Sequence, residues 1–325
     1  MRDAADQLSG RHRMIAASRR KGVICALGAG LAWGLVFVVP LILIDYPPML
    51  LSVGRYLAFG LIALPLAVRD RSRLAQLDRH DWVRAFELAL IGNLLYYGLL
   101  ASAIQLADAP VPTMLIGTLP IVIAIAANLG RGGIAWRRLL PPLAVIAFGI
   151  LLVNQHELDR LDGGRSLDDY LLGSLLAIGA VACWAWYPIR NAAWLQARPG
   201  LASGTWATAQ GLATLPLALL VFAGISVLSP APAGFDWPLG PRPSLFIGLM
   251  LTLGLLASWL GTLLWNRASQ LLPTALSGQL IVFETLSALA YAYAWRGELP
   301  GLASAFGIAL LVLGVVLGVR AFRKA

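Results

Sequence analysis

GAGLAW, at residues 28–33, returns as GAVACW at residues 179–184, 151 positions further along the chain. The same offset places GLIALPLA at 60–67 over GLATLPLA at 211–218. Offsets of 165 and 158 align two further pairs of segments in the same order along both halves, and they change where connectors differ in length. The sequence therefore predicts two copies of one unit.

The composition is typical of a membrane protein. Hydrophobic residues make up 59% of the 325 residues and charged residues 13%, whereas a soluble domain has roughly 45–50% and 25%. The basic residues lie between apolar blocks, which favours topology signals over nucleic-acid binding. The two cysteines and three histidines show no metal-ligand spacing, so no cofactor or metal is predicted.

Ten stretches are apolar over about the 20 residues that a transmembrane helix requires. The predicted fold is therefore all-α, with ten transmembrane helices. Their approximate limits are 22–44, 48–68, 84–105, 109–129, 138–154, 170–190, 203–227, 243–265, 273–294 and 300–319.

The distribution of positive charge predicts the orientation. If the chain crosses at every stretch, 20 of the 25 Lys and Arg residues fall on one side and 4 on the other, with Arg55 inside helix 2. Cytoplasmic loops retain Lys and Arg, so both termini are predicted to be cytoplasmic.

Because each copy has five helices, the second copy must enter the membrane from the opposite side. This is an inverted-topology repeat, an arrangement typical of secondary transporters. The predicted units are a basic tail at 1–21, a first repeat at 22–154, an extracytoplasmic connector at 155–169, a second repeat at 170–319 and a tail at 320–325.

Several motifs carry a family resemblance: LAWG in helix 1, CWAWYP in helix 6, and FETLSAL followed by Gly297 and Glu298 in helix 9. With the five-plus-five repeat, these resemble the EamA-type exporters of the drug/metabolite transporter superfamily over residues 22–319. Many such proteins carry Glu-Pro in helix 9, whereas Thr285 follows Glu284 here. The resemblance implies an inner-membrane exporter with a central cavity lined by helices 1, 3, 4, 6, 8 and 9. Within the family, the aromatic amino acid exporters are the subgroup that the sequence resembles most.

Polar and aromatic residues inside the spans are the candidate substrate ligands. A polar side chain in hydrocarbon is costly unless it is paired, so these should point inward, and the offset of 165 relates positions on helices 3 and 4 to positions on helices 8 and 9. Core packing and interhelical hydrogen bonding are the alternatives. The candidates are Trp33, Asn93, Tyr97, Met114, Thr118, Trp184, Tyr187, Ser258, Trp259, Thr262, Gln279, Phe283 and Glu284.

Glu284 is the acidic residue placed nearest the middle of the bilayer. A carboxylate there is expensive, so it should be protonated or paired. Arg55 enters from the opposite side and is predicted to lie too shallow to reach it. Six other tryptophans, at connectors or helix ends, are predicted to anchor the protein at the membrane interfaces: Trp82, Trp136, Trp194, Trp206, Trp237 and Trp295.

The predicted function is export of small neutral or zwitterionic metabolites, with amino acids first, by alternating access. The predicted cavity holds no Lys or Arg, which disfavours phosphorylated cargo. Export of drugs or other metabolites is the alternative, and an intramembrane enzyme is a remote one because no catalytic set lies within the spans. Membrane lipid and the substrate are the predicted partners, without nucleic acid, and the sequence does not determine an oligomeric state.

Overall fold

A computed structural model describes most of the chain. The described residues are 2–43, 45–107, 115–129, 135–158, 167–228, 234–297 and 299–323.

Within these residues the regular secondary structure is helical, and no strand occurs. The helices are α1 Arg2–Ile42, α2 Pro48–Arg69, the single turn α3 Arg71–Leu74, α4 Arg79–Leu88, π1 Ala89–Leu95, α5 Tyr96–Ala107, α6 Leu119–Leu129, α7 Trp136–Leu158, α8 Leu167–Ala197, α9 Ser203–Leu228, α10 Pro243–Thr252, π2 Leu253–Leu260, α11 Gly261–Leu271, α12 Thr274–Leu280, α13 Val282–Arg296 and α14 Leu302–Arg323.

Eight helical stretches of the described residues are long and apolar enough to cross a membrane. The prediction of an all-helical membrane protein is therefore confirmed. A shorter apolar helix, α6, lies in the predicted fourth span, and α7 lies in the fifth. Helices α7 and α8 also extend into the connector predicted at 155–169. The count of ten spans in two inverted sets of five stays a prediction.

Two of the long helices contain a π-helical stretch. The π1 segment joins α4 to α5, and π2 joins α10 to α11. The sequence offset of 165 aligns π1 with π2: the two segments end at equivalent positions, and their starts differ by one residue. Because π turns are rare and often occur at functional sites, their recurrence at matching positions singles out these two helices.

The helices pack in pairs that correspond under the sequence offsets. Helix α1 packs on α11 and α13, and α8 packs on α5 and α6. Three further pairs are α2 with α9, α7 with α14, and α12 with α6. Close approach depends on glycine where α2 meets α9. A Cβ on Gly60 would lie 2.5 Å from the Leu215 side chain, and one on Gly211 would lie 2.7 Å from that of Ala63. Small residues permit such contacts between membrane helices.

Ion pairs join the connectors at both ends of the bundle. At the arginine-rich end, defined by connectors 70–78 and 198–202, Arg198 donates to Asp81 at 2.9 Å and to Asp78 at 3.0 Å. The Asp81 backbone N–H and then Arg198 hold the pKa of Asp78 below its ordinary value. At the opposite end, Arg242 pairs with Asp45, and its hydrogen bond lowers the pKa of that carboxyl. Each end thus joins connectors from the two halves of the chain.

Trp206 is not an interface anchor, so that prediction is wrong. Its side chain is completely buried between helices, and its indole N–H donates to Asn191 Oδ1 at 2.9 Å. The position near the start of a predicted span suggested lipid contact, but interhelical packing at the arginine-rich end covers it. Trp295, by contrast, is 56% exposed and remains consistent with an anchor.

Candidate substrate-binding site

Five aromatic side chains from α1, α5, α8 and α11 meet in one group, called here the aromatic cluster. Trp33 packs against Trp184 at 5.5 Å between ring centroids and against Trp265 at 5.3 Å. Trp184 in turn stacks on Tyr96 at 4.9 Å and on Tyr187 at 5.3 Å. The final residues of the two repeated hexapeptides, Trp33 and Trp184, are therefore in contact.

The aromatic cluster is closed in this conformation, since no member is more than 8% exposed. It nevertheless leaves polar atoms unused. The indole N–H groups of Trp184 and Trp265 are buried and have no hydrogen-bond partner. A buried donor without a partner costs about 1–3 kcal/mol. These donors therefore suit a ligand that brings an acceptor.

Tyr187 connects the aromatic cluster to a second group, called here the amide network: Asn191, Trp206, Gln210 and Asn266. The Tyr187 hydroxyl donates to Gln210 Oε1 at 2.8 Å. Asn191 Nδ2 donates to Asn266 Oδ1 at 2.8 Å and links α8 to α11. Trp206 and Gln210 both donate to Asn191 Oδ1, the latter at 3.5 Å. The amide network binds three helices together between the cluster and the arginine-rich end.

Glu284 lies in the first turn of α13, after the break at Ile281 that separates α12 from α13. Gly30 of α1 faces this turn, because a Cβ there would lie 3.0 Å from the Glu284 backbone nitrogen. Glu284 Oε2 is buried without a hydrogen-bond partner. Broken helices whose N-terminal ends point at a binding site are a recurring feature of transporters, so Glu284 is placed to meet a ligand.

Arg55 is a site residue that the sequence analysis missed. Its Nε donates to Ser258 Oγ at 3.0 Å, and its guanidinium lies 5.1 Å from the centre of the Tyr56 ring. Ser258 belongs to π2 and was a predicted ligand. The prediction that the site holds no Lys or Arg did not take account of Arg55, which contacts the predicted ligand Ser258.

Four other candidates lie between α2, α9 and the two π-containing helices. Asn93 Nδ2 donates to Thr214 Oγ1 at 3.2 Å, and Trp259 Nε1 donates to Thr208 Oγ1 at 3.1 Å. These bonds satisfy both donors within the protein. Tyr97 lies edge-on to Tyr96 at 6.3 Å, and Thr262 interacts with the Tyr187 hydroxyl. Tyr97 and Thr262 therefore adjoin the aromatic cluster, whereas Asn93 and Trp259 are placed to join helices.

Thr118, Gln279 and Phe283, three further candidates on the fourth and ninth predicted spans, make contacts outside the aromatic cluster. Gln279 is 1% exposed and faces Gly318 of α14, where a Cβ would meet its amide. Phe283 packs against Gly30. Thr118 donates to the Leu115 carbonyl at 2.6 Å, at the break before α6. Met114 lies outside the described residues.

Tyr96 and Trp265 were also missed as cluster members. Trp265 lies at the end of the eighth predicted span and is 2% exposed. Tyr96 was passed over in favour of its neighbour Tyr97, since the π1 segment shifts the faces of the helix relative to a regular α-helix. No signal in a single sequence shows such a shift.

Paired membrane helices with broken segments near buried, unpartnered polar groups are features that recur in transporters. The EamA-like transporter family model matches residues 20–155. The inner membrane protein YtfF of Escherichia coli (strain K12) is 51% identical over 309 residues, which are 92% of this chain and 95% of that protein. The chain therefore belongs to the EamA-like transporter family.

A protein of known crystal structure shares the fold. It has a TM-score of 0.73 at 17% identity, and the match covers 93% of this chain and 98% of that one. The family and the YtfF relative indicate a transporter of the drug/metabolite type rather than an enzyme.

Proposed function

We propose that this protein exports small neutral or zwitterionic metabolites, amino acids foremost, across a bacterial inner membrane. The observation that carries the proposal is the aromatic cluster, where two buried indole N–H groups lack partners. Apolar walls with a few well-placed polar groups are typical of small-molecule sites. The two indoles offer donors to a substrate carboxyl or carbonyl, and Glu284 offers an acceptor to an amino group.

Alternating access follows from an inverted repeat of residues 22–154 and 170–319. Three observations support this repeat. Trp33 and Trp184 occupy equivalent positions in the two halves and are in contact, and π1 and π2 also occupy equivalent positions. The helix pairs formed by one half have equivalents formed by the other half under the sequence offsets. Two such units can exchange conformations, which opens a central site to one side and then to the other. The closed cluster is then an occluded stage of that cycle.

Uptake into liposomes carrying the purified protein tests the function. Labelled phenylalanine, leucine and an amphipathic cationic dye are supplied to protein-containing and protein-free vesicles. Amino acids are expected to exchange faster through the protein, whereas transport of the dye alone would replace amino acids with drugs as cargo. Trp184→Phe removes one unpartnered N–H and is expected to raise the KM for phenylalanine.

Glu284→Gln tests the acidic residue, because it keeps the shape and removes the charge. Loss of transport, or a changed dependence of transport on pH, is expected if Glu284 holds an amino group or relays a proton. An unchanged rate and pH profile would leave Glu284 a packing role.

Cysteine labelling tests the inverted topology. In a background without Cys25 and Cys183, single cysteines at Asp45, Arg165 and Gly234 should react with an impermeant maleimide applied to intact cells. Cysteines at Ser72 and Ala325 should be protected. Protection at Arg165 would contradict the inverted repeat.

A further inference from the structure

We infer that Arg55 binds the carboxylate of the transported substrate, so that the substrates are carboxylate-bearing zwitterions rather than neutral or cationic molecules. This inference rests on the proposed function and narrows it. It is based on the hydrogen bond and the ring contact that Arg55 makes, and on the lack of a direct ion pair for it among the described residues.

Arg55 is 9% exposed and lies in the first half of α2, inside a candidate span. A guanidinium carries five N–H donors. Its described hydrogen bond uses one of them, from Nε to Ser258 Oγ at 3.0 Å. The Tyr56 ring contributes a cation–π contact at 5.1 Å. The two Nη groups, which form the outer fork of the side chain, make no hydrogen bond in the described part of the chain.

No acidic side chain of the described residues comes within 4.0 Å of Arg55 to form an ion pair. Two half-buried arginines differ: Arg84 pairs with Glu87, and Arg198 pairs with Asp78 and Asp81. A charged side chain within a membrane is costly and normally has a partner or a function. Arg55 forms no direct ion pair within the described part of the protein, although Glu284 acts on it electrostatically from beyond 4.0 Å.

Arg55 lies beside the aromatic cluster. Its partner Ser258 is three residues, or about one turn, before Gly261 of α11. A Cβ on Gly261 would lie 2.7 Å from the Trp33 indole nitrogen. Arg55 and Glu284 both act electrostatically on Tyr96, which stacks on Trp184. Arg55 and Glu284, which act on each other electrostatically without forming a direct ion pair, thus flank one aromatic group.

A zwitterion is the ligand that supplies a partner to each charge. Its carboxylate meets the guanidinium fork, which matches carboxylate geometry, and its ammonium meets Glu284 and the aromatic faces. An amine that lacks a carboxylate gives Arg55 no ion-pair partner, so it should bind more weakly than the corresponding amino acid. A charge-assisted hydrogen bond corresponds to roughly ten- to hundredfold in affinity.

Paired probes that differ in the carboxylate test the inference. Phenylalanine is compared with phenylalaninamide, and leucine with leucinamide, by the ligand-dependent rise in melting temperature of the purified protein. The wild type should bind each acid roughly ten- to hundredfold more tightly than its amide. Arg55→Gln should abolish that preference, and Arg55→Lys should keep part of it because the charge remains. Arg267→Gln, at an exposed position of α11, should behave like the wild type.

Either of two results overturns the inference: a wild type that does not distinguish acid from amide, or an Arg55→Gln protein that still does. The first result is obtained with the wild type alone, so the inference can be tested even if Arg55→Gln folds poorly. Equal transport of phenylalanine and phenylalaninamide in liposomes would leave the proposed transporter intact and remove the role of Arg55. Absence of any metabolite transport would instead refute the proposed function, and the binding comparison would still decide on Arg55.

Discussion

The amide network and the aromatic cluster are built from similar residues but differ in how their polar groups are satisfied. Trp206 in the network donates its indole N–H to Asn191 at 2.9 Å. Trp184 and Trp265 in the cluster are also buried, at 8% and 2% exposure, and donate to nothing. Tyr187 touches both groups.

The difference separates what holds the bundle together from what is free to bind a ligand. Satisfied polar groups in a low-dielectric interior stabilise a particular helix arrangement, whereas unsatisfied ones reduce stability until a partner arrives. The network is therefore expected to govern stability and the cluster to govern binding.

The largest effect is expected from Asn191→Leu. It removes the acceptor of Trp206 and Gln210 and the donor to Asn266, so several buried groups lose their partners. The free energy of unfolding in mixed micelles should fall by about 2–4 kcal/mol. A loss below that of Trp184→Phe would show that the network does not hold α8, α9 and α11 together.

A matched pair, Trp206→Phe and Trp184→Phe, compares the two groups directly. Both substitutions remove the same atoms, but the Trp206 N–H is bonded and the Trp184 N–H is not. Trp206→Phe should destabilise the protein by about 1 kcal/mol more, whereas Trp184→Phe should affect binding of phenylalanine more. Equal melting temperatures for the two variants would contradict the comparison.

Arg198→Met removes the ion pairs that close the arginine-rich end. Asp81 is 1% exposed and would keep its capping bond to Asp78 but lose its cation. Because Arg198 is partly exposed, the expected loss is about 0.5–1.5 kcal/mol, measured by denaturant unfolding. Met preserves the packing of the side chain on Trp194. An unchanged stability would show that the amide network, and not these ion pairs, holds the arginine-rich end together.

Asp45→Asn is expected to have the smallest effect, and that effect should depend on pH. The hydrogen bond from Arg242 lowers the pKa of Asp45, so the pairing stabilises the folded protein above the ordinary carboxyl pKa of about 3.9. The stabilisation is lost as the pH falls through the lowered folded value. The melting temperatures of wild type and Asp45→Asn should therefore differ at pH 7 and converge in acid. A constant difference would exclude the ion pair as its cause.

The membrane class and helix positions were predictable because apolar length and charge are properties of single segments. The repeat was predicted because Trp33 and Trp184 stand in similar hexapeptides, and it stays a prediction; the contact between these two tryptophans is what such a repeat would place together. The contacts of Arg55 and Trp206 were not predictable. Their depths come from side-chain reach and helix rotation, which a periodic pattern does not encode.

Local geometry limited the prediction of the site in the same way. Asn93 and Tyr97 were expected to point towards a central cavity, and Asn93 donates its hydrogen bond to Thr214 of α9. Gln279 was chosen by its offset from Met114 and instead faces Gly318. An offset between similar segments relates positions along the sequence and does not by itself give those positions similar neighbours.

The contact between Trp33, Trp184 and Trp265 has an optical consequence. Indole rings with centroids 5.3–5.5 Å apart share their electronic excitation, so the cluster should give a coupled near-ultraviolet circular dichroism band rather than three independent ones. A substrate that separates the rings uncouples them. If the aromatic cluster binds the substrate as proposed, this band is an unlabelled reporter of that binding.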